Sequence, residues 1–332
     1  MIKRFIKAFL PHQSRYYRDR LLRRVNERRL ASCLEEVGVA AGRIVYLQSA
    51  FGSLGYYPNG PERFLRLLQR IVGPSGTVVM PSFPFGGAME DFVATRPDFD
   101  ARATPGRIGL LPEIARVQPG ALRSCHPTHP VVAIGAAAGD IIAGHERCDS
   151  PQGEGSPFAK VVSEDALVLR LDTPAYPLCH RLQELVPWPN LFLDEPVALD
   201  CVDMQGRAQR VTTRVYRKRI PFVMYFPVSE ATPPIAANII DFPLVFPGRE
   251  AALAAPGGKA ALLETLLGYR ARLAPRAEWR TARYNDATID AFSARESMVF
   301  ALAEATRTIQ RYHAYYDLAS LEAGLEQQRI VI

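Results

Sequence analysis

The sequence predicts an α/β protein of three layers, in which a mostly parallel, mixed central sheet lies between helices. The main observation is a buried strand over 43–49, a glycine-containing loop, an amphipathic helix over 64–72 and a second strand over 77–83. Two strands joined by a crossover helix form a βαβ unit, whose strands run parallel. Short apolar runs alternate with helical patterns further along the chain, without an internal repeat. This alternation favours a single α/β domain.

The remaining elements are predicted from turn residues and periodicity. The first helix begins near Asn59-Gly60-Pro61, which supplies a cap and a helix-opening proline. Apolar runs predict further strands over 131–135, 166–172, 197–203 and 220–226. Apolar spacing predicts helices over 110–117, 138–144 and 180–186 and in the long segment after Gly257. Prolines and turn residues dominate 186–196 and 227–247.

Residues 1–30 differ from the rest of the chain in charge and pattern. They hold ten basic and two acidic residues, so this leader carries a formal charge of +8. The remainder of the chain carries −2, which gives the net charge of +6. Apolar residues from Ile2 to Leu10 recur on one helical face, beside lysines. The basic amphipathic leader either packs on the protein's own body or contacts a membrane surface or a partner protein. We interpret residues 31–332 as a single α/β domain with a helical C-terminal tail and expect no nucleic-acid partner.

The cysteines and the hydropathy pattern indicate the cellular compartment. The five cysteines are spread along the chain without a C-x-x-C pair, which fits neither a disulfide framework nor a structural zinc site. No apolar run approaches the roughly 18 residues that a membrane-spanning helix needs. We therefore expect a cytoplasmic protein, with peripheral contact to the inner face of the membrane through the leader as the alternative.

Two histidines stand three residues apart in the segment "RSCHPTHPVVAIG", residues 123–135. His126 and His129 flank Pro127, which disfavours helix for its predecessor, so both lie in a loop that leads into a strand. They therefore form no helical zinc pair. Cys125 is poorly placed to act as a nucleophile with His126, because adjacent side chains in an extended segment point in opposite directions. The two histidines either fill a structural role or belong to a site.

Three further residues can join that site. Asp172 ends a predicted strand, where α/β sheets place their ligands. His180 and Glu184 lie four residues apart near the start of a helix, so the carboxylate can orient the imidazole or stabilise its charge. The alternative is a metal-dependent amide hydrolase, whose ligands would be His126, His129, Asp172 and His180.

Two more segments have a polar character that allows two interpretations. The loop Gly52-Ser53-Leu54-Gly55 lies between a strand and a helix, where backbone N–H groups can bind phosphate. It lacks the lysine of a Walker loop and the G-x-G-x-x-G of a dinucleotide site, so a simple turn is the other reading. The segment "VYRKRIP", residues 215–221, is interpreted as a solvated turn or strand edge, with a phosphate-binding patch as the alternative.

Four stretches carry motifs in a fixed order: "LQSAFGSLGYYPNGPERFLRLLQRIVGPSGTVVMPSF", "TPGRIGLLPEIARVQPGALRSCHPTHPVVAIG", "HERCDSPQGEGSPFAKV" and "LDTPAYPLCHRLQE". Together they resemble the aminoglycoside 3-N-acetyltransferase family, whose antibiotic N-acetyltransferase fold is distinct from that of GNAT acetyltransferases. In the family they read approximately as H-S-S-L-x-x-x-G with G-T-L-V-M-P, T-P-S-x-x-G-x-x-P-E with R-S-x-H-P-x-x-S-x-A-A-x-G, G-x-x-S-P-[WF], and T-x-L-H-x-A-E. The resemblance spans roughly residues 43 to 250.

The resemblance implies transfer of an acyl group from acetyl-CoA to a small-molecule amine, with coenzyme A as cosubstrate and no metal. By position it implies that coenzyme A is held by Ser49, Gly52, Ser53, Leu54, Gly55, Thr104 and Pro105. It also implies that His180 is the catalytic histidine. We assign catalysis to His180, Glu184, His129 and Asp172, and acceptor binding to His126, Phe83 and Gln183. An imidazole base held by a carboxylate suits the deprotonation that an attacking amine requires.

The sequence also departs from the family motifs. Gln48-Ser49-Ala50 stands for H-S-S, Gly106 for the serine of T-P-S, and Pro130 for the serine after H-P-x-x. The carboxylate expected three residues after the histidine is Gln183, with Glu184 one position later, a step of ~100° around a helix. We therefore expect the acceptor to be an amino sugar of polysaccharide or secondary-metabolite biosynthesis. An aminoglycoside acceptor, or a catalytically altered family member with a binding or scaffold role, are the alternatives.

Overall fold

The computed structural model describes residues 20, 22–58, 60–173, 178–185, 191–217 and 278–311. The predicted strand over 220–226 and the turns over 227–247 lie outside these residues. So do most of the basic leader, the expected helix cap Asn59, and the part of the predicted helical segment between 258 and 277.

A seven-stranded mixed sheet forms the centre of the fold. In chain order the strands are β1 (Ile44–Ser49), β2 (Thr77–Pro81), β3 (Phe99–Asp100), β4 (Leu122–Arg123), β5 (Val131–Gly135), β6 (Leu167–Leu171), β7 (Val197–Val202), β8 (Ala208–Thr213), β9 (Arg280–Tyr284) and β10 (Ala287–Ser293). The central sheet has the order β4-β5-β2-β1-β6-β10-β9. Its strands β2, β1 and β6 run parallel, and its outer pairings are antiparallel.

Helices cover both faces of this sheet. Those with described bounds are α1 (Glu27–Glu36), α2 (Gly60–Val72), α3 (Met89–Ala94), α4 (Leu110–Arg116), α5 (Ala138–Ile142), α6 (Pro157–Ser163), α7 (Cys179–Leu185) and α8 (Ala294–Arg311). Helices α1, α2 and α4 share one core with Val45 and Leu47 of β1, and α5 to α8 share the other with Tyr46. Since alternate residues of a strand point to opposite faces, β1 contributes to both cores. The arrangement is the three-layer one that the sequence predicts.

The parallel part of the sheet is limited to β2, β1 and β6, which is smaller than predicted, because β5 runs antiparallel to β2 and β10 runs antiparallel to β6. Residues 280–293, expected within a helical segment, form the antiparallel hairpin β9–β10. Its turn contains Asn285, which has a φ of 52°, and asparagine tolerates this left-handed conformation in tight hairpin turns. The helical part of the segment begins only at Ala294, with α8.

A second sheet of three strands packs beside the first. Its order is β3-β7-β8, with Phe99 opposite Cys201 in the parallel pair β3–β7. Phe99 and Cys201 form a small apolar cluster with Cys125, the residue before His126. The second sheet is therefore attached to the loop that carries the two histidines. Within the described ranges, no helix combines the length and the apolar character that crossing a bilayer requires.

One edge of the central sheet gathers the residues that the sequence singled out. The carboxyl ends of the parallel strands β1, β2 and β6 lie at this edge, as α/β ligand sites do. Strand β5 runs antiparallel to β2 with Val131 opposite Pro81, so the loop before β5 comes to the same edge. The histidine loop and the segments after Ser49 and Pro81 therefore converge.

Candidate active site

Four histidines form a connected cluster at this edge. The ring centroids of His126 and His145 are 4.3 Å apart, those of His126 and His129 6.4 Å, and those of His129 and His180 6.1 Å. His126, His129 and His180 were expected near one another. His145 was not, because it lies in a short 3-10 turn, His145–Arg147, whose neighbours in sequence are charged.

His180 lies on α7 with one ring nitrogen bonded and the other available. Its Nδ1–H donates to Oε1 of Gln183 at 2.7 Å, across one turn of the helix. Because Nδ1 carries the proton in that bond, Nε2 holds the lone pair. Burial lowers the pKa of His180 below its ordinary value, and the bond to Gln183 raises it only in part. His180 is therefore neutral near pH 7 and fit to accept a proton at Nε2.

Glu184 does not bond His180, which corrects the pairing expected from sequence. Its carboxylate accepts hydrogen bonds from the hydroxyl of Ser150 at 2.5 Å, from the backbone N–H of Gln152 at 2.9 Å and from the hydroxyl of Tyr216. The physical reason is the helical step of ~100° between positions 183 and 184, which turns Glu184 away from the imidazole. Burial raises the pKa of the Glu184 carboxyl, and the three donors lower it in part.

Tyr216 joins the site although the sequence did not single it out. Its ring stacks on His180 with a centroid distance of 4.7 Å and an interplanar angle of 21°, and it lies 5.4 Å from His129. The residue is 3% exposed, so the solvated turn or edge expected over 215–221 is incorrect at its first two residues, Val215 and Tyr216. The sequence signal for their burial was that Val215 and Tyr216 are largely apolar and precede the basic run.

His129 and Phe83 form the apolar wall of the cluster. The Phe83 ring lies 4.3 Å from the His129 ring and continues toward Phe85 at 6.1 Å. Phe85 in turn stacks on Phe92 at 4.9 Å. Burial, and then the neighbouring His180, hold the pKa of His129 well below its ordinary value. A neutral imidazole beside half-buried aromatic rings suits contact with an uncharged part of a ligand.

His126 lies inside the protein rather than on a ligand surface, which corrects its assignment to acceptor binding. It is fully buried. Its Nδ1 accepts from the backbone N–H groups of Thr128 at 3.3 Å and His129 at 3.1 Å, so Nε2 carries the proton and donates to Oγ1 of Thr213 at 3.2 Å. His126 therefore fixes the turn that presents His129.

His145 is equally buried and fully bonded. Its Nε2–H donates to the carbonyl of Pro151 at 2.9 Å, and its Nδ1 accepts from the hydroxyl of Ser124 at 2.9 Å. Burial lowers the pKa of His145 to about 3. With both nitrogens of His126 and His145 engaged, neither ring is open to a metal ion. Across the described part of the chain, no three His, Cys, Asp or Glu side chains are grouped to share one.

The hydrogen bonds of Asp172 go to Thr288 and to none of the imidazoles, which corrects its assignment to catalysis. It is exposed, with a φ of 49°, at the end of β6. Its N–H donates to the carbonyl of Thr288 at 2.7 Å, and its carboxylate accepts from the N–H of Thr288 at 3.2 Å. These bonds close the end of the β6–β10 pair. Asp172 is therefore a turn residue at a strand end.

The loop after β1 contains one glycine with free space beside it and one in close contact with the backbone. A Cβ at Gly52 would have no atom within 4 Å, whereas at Gly55, with φ of 100°, it would lie 2.2 Å from the carbonyl oxygen of Arg23. The Oγ atom of Ser53 is buried without a hydrogen-bond partner. Leu54 is wholly within the core, so its side chain contacts no ligand, contrary to the sequence assignment. The loop thus has open space at Gly52 and an unsatisfied polar atom at Ser53.

Thr104 and Pro105 lie in a loop tied to the end of β2. The hydroxyl of Thr104 accepts from the N–H of Asp100 at 2.8 Å, and its carbonyl accepts from the Arg123 guanidinium. Arg123 also donates to the carbonyl of Ser82. Burial lowers the pKa of Arg123 to about 10, which leaves the guanidinium charged at neutral pH. This cation therefore fixes the loop beside the strand end that precedes Phe83.

Sequence comparison places the chain among known acetyltransferases. A family model described as aminoglycoside 3-N-acetyltransferase matches residues 47–225. The chain is 32% identical over 194 residues to aminoglycoside N(3)-acetyltransferase VII of Streptomyces paromomycinus, a match over 53% of the chain and 67% of the relative. It is 33% identical over 164 residues to aminoglycoside N(3)-acetyltransferase VIII of Streptomyces fradiae, over 45% and 57%. The matched stretch thus spans about three fifths of these relatives' length.

Solved structures share the fold over most of the chain. The structure titled "AAC-IIIb binary with CoASH" has a TM-score of 0.61 at 22% identity, over 87% of this chain and 97% of that one. The aminoglycoside acetyltransferase AAC(3)-Xa has a TM-score of 0.61 at 25% identity, over 85% and 92%. "AAC-VIa bound to Sisomicin" has a TM-score of 0.58 at 20% identity, over 84% and 97%.

Proposed function

Because the chain belongs to the aminoglycoside 3-N-acetyltransferase family, we propose that it transfers the acetyl group of acetyl-CoA to an amino group of a small-molecule acceptor. The observation that carries this proposal is the geometry of His180. Its Nδ1–H is held by Gln183 at 2.7 Å, and its Nε2 is left as a neutral base. The scaffold alternative loses its main argument, because the amide of Gln183 orients the imidazole although it is not a carboxylate.

The reaction needs one base and two binding surfaces. The neutral form of the amine is the nucleophile, and His180 takes one of its protons as nitrogen attacks the thioester carbonyl. The new C–N bond forms, the C–S bond breaks, and the proton held by His180 neutralises the departing thiolate. His129 and Phe83 lie beside His180 and would hold the acyl group or the acceptor in reach.

The loops at the sheet edge fit coenzyme A. Gly52 has open space at its Cβ position, which allows a phosphate or pantetheine chain to approach the backbone closely. The partnerless Oγ of Ser53 is a buried polar group that a ligand can satisfy. Coenzyme A supplies the activated acyl group as a thioester. Ser49, Gly52 and Ser53 on one strand end, and Thr104 and Pro105 beside the next, would hold it.

For the acceptor we propose an amino sugar. The relatives are named for N(3)-acetylation of aminoglycosides, which are themselves built from amino sugars. The departures at Gln48, Gly106 and Pro130 favour an acceptor other than the clinical aminoglycosides, such as an amino sugar of polysaccharide or secondary-metabolite biosynthesis. The amide hydrolase alternative finds no support, since Asp172 and His126 are engaged elsewhere.

The proposal is tested by release of free thiol from acetyl-CoA across a panel of amino sugars and aminoglycosides. Thiol release with at least one amine, lost in His180→Ala and kept in Gln205→Ala on the β7–β8 turn, supports it. Coenzyme A at 100 times its dissociation constant should also stabilise the fold by ~2.7 kcal/mol, visible as a rise in melting temperature. No thiol release with any acceptor, together with no thermal shift, would refute it.

A further inference from the structure

The imidazole of His180 is the first layer of a stack. Tyr216 stacks on it at 4.7 Å, and Phe192 stacks on Tyr216 at 5.1 Å with an interplanar angle of 19°. The guanidinium of Arg214 lies 4.1 Å from the centroid of Phe192 and closes the stack. Such offset contacts between flat groups fix the tilt of each ring. The tilt of His180 is thus set by Tyr216.

The position of Tyr216 is set in turn by Glu184. The phenol donates to the Glu184 carboxylate, whose other donors are the hydroxyl of Ser150 and the N–H of Gln152. Three donors on one half-buried carboxylate hold it in a single orientation. A phenol bonded to an immobile acceptor cannot swing away from the imidazole. Glu184 therefore acts as the anchor of the stack.

Gln183 and Tyr216 constrain different motions of the same ring. Gln183 bonds Nδ1 in the plane of the imidazole and so fixes its rotation about the side-chain axis. Tyr216 lies on the face of the ring and so fixes its inclination. Both motions must be restricted for Nε2 to point at an attacking amine, since a misplacement of about 1 Å can cost about 100-fold in rate.

We propose that Glu184 is a positioning residue for the base His180 and that it acts through Tyr216 rather than by touching the imidazole. This inference rests on the proposed function and adds to it the role of two residues. It explains why a carboxylate one position later than the family motif is still useful to the site. Glu184 thus fixes the Tyr216 ring that packs on His180, and it does not stabilise charge on His180 directly.

The first test is a double-mutant cycle on thiol release. Glu184→Ala, which removes the acceptor of the Tyr216 phenol, and Tyr216→Phe should each lower kcat about 10-fold with little change in KM, since both loosen the base and leave the binding surfaces intact. The double variant should be no slower than Tyr216→Phe alone, because Glu184 acts only through the phenol. Additive losses would overturn the proposal. Glu154→Ala is the matched control, because that carboxylate is exposed and bonds Arg181 instead.

The second test reads the stack without reference to activity. The ring current of Tyr216 shifts the NMR signal of the His180 Hε1 proton upfield, and His180→Ala assigns that signal. Tyr216→Leu and Glu184→Ala should both move it downfield, while Glu154→Ala leaves it in place. An unmoved signal in Glu184→Ala would overturn the proposal. If the wild-type protein released no thiol, the proposed function would fail while this measurement still decided the role of Glu184.

Discussion

The Oε1 atom of Gln183 lies 2.7 Å from Nδ1 of His180, at the position where the family motif has a carboxylate. A neutral amide fixes the same imidazole tautomer as a carboxylate does. It adds no negative charge beside the imidazolium that forms when His180 takes a proton. In this protein Gln183 orients the base His180 but does not stabilise its positive charge. A substitution of Gln183 by glutamate would add that stabilisation.

Gln183→Glu should raise the pKa of His180, because a carboxylate next to Nδ1–H favours the protonated ring. The acidic limb of kcat/KM reports this pKa in the free enzyme, and it should move to higher pH by about one unit. The measurement is thiol release between pH 5 and 8. Gln205→Glu, the same change on the exposed β7–β8 turn, is the control. An acidic limb that stays in place in Gln183→Glu would contradict the assignment of His180 as the base.

Folding stability should fall as pH drops below about 6.5. Burial lowers the pKa of His145 to about 3, whereas the unfolded chain binds a proton near pH 6.5. Protonation therefore favours the unfolded state throughout this range, at up to ~1.4 kcal/mol per pH unit for each such histidine. Burial lowers the pKa of His126 and His129 in the same direction.

Urea unfolding at pH 7, 6 and 5 measures this dependence. Above about pH 4.5 the carboxylates with lowered pKa values stay ionised, and Glu184, whose pKa is raised, acts in the opposite direction, so a net decline comes from the histidines. His145→Gln keeps a donor and an acceptor and should show a shallower decline. Equal slopes for the variant and the wild-type protein would argue against buried neutral histidine as the cause.

Gly55→Ala should destabilise the protein by roughly 2 kcal/mol or more, because the new Cβ meets the Arg23 carbonyl and the φ of 100° is strained for alanine. Gly52→Ala is the matched control three residues earlier, where the Cβ position is open. We expect Gly52→Ala to stay within about 1 kcal/mol of the wild-type free energy of unfolding. Comparable losses in the two variants would show that loop entropy, not the contact with Arg23, makes glycine necessary.

Phe83→Ala should weaken binding of one substrate more than it slows the reaction. The half-buried ring lies 4.3 Å from His129, and removing a well-placed aromatic contact costs about 1 kcal/mol or more. We expect KM for acetyl-CoA or for the acceptor to rise several-fold, with kcat within about twofold. Phe92→Ala, two rings further along the same wall, is the control. A loss confined to kcat would show that Phe83 positions the reacting groups and does not contribute to substrate binding.

The family and the α/β fold were predictable from sequence and are confirmed. The βαβ unit follows from local periodicity, because β1, α2 and β2 are adjacent in sequence and in space. The predicted elements within the described residues end within about two residues of the observed bounds, apart from the hairpin β9–β10. That hairpin pairs with β6, more than a hundred residues earlier, and no local pattern encodes which strand will accept it.

The candidate site was predictable only in part. His129, His180 and Phe83 share motifs, and the structure brings them together. Tyr216 lies outside the four quoted stretches, and His145 begins one of them but was not singled out; both meet the site through tertiary packing. The pairing of His180 was decided by the helical register, which places Gln183 rather than Glu184 beside it. Asp172 shows that a position at a strand end does not by itself make a residue part of the site, because Asp172 is already hydrogen-bonded to the backbone of β10.

The small sheet has a consequence for the order in which the protein acquires activity. It brings Phe99 of β3 beside Cys201 of β7, and its strand β8 supplies the hydroxyl of Thr213 that holds His126. Contacts between residues so far apart along the chain carry a large loop-closure entropy and tend to form late. During refolding, helical circular dichroism should therefore return before thiol release does. The recovery of enzymatic activity would then report when the small sheet docks, not when the chain collapses.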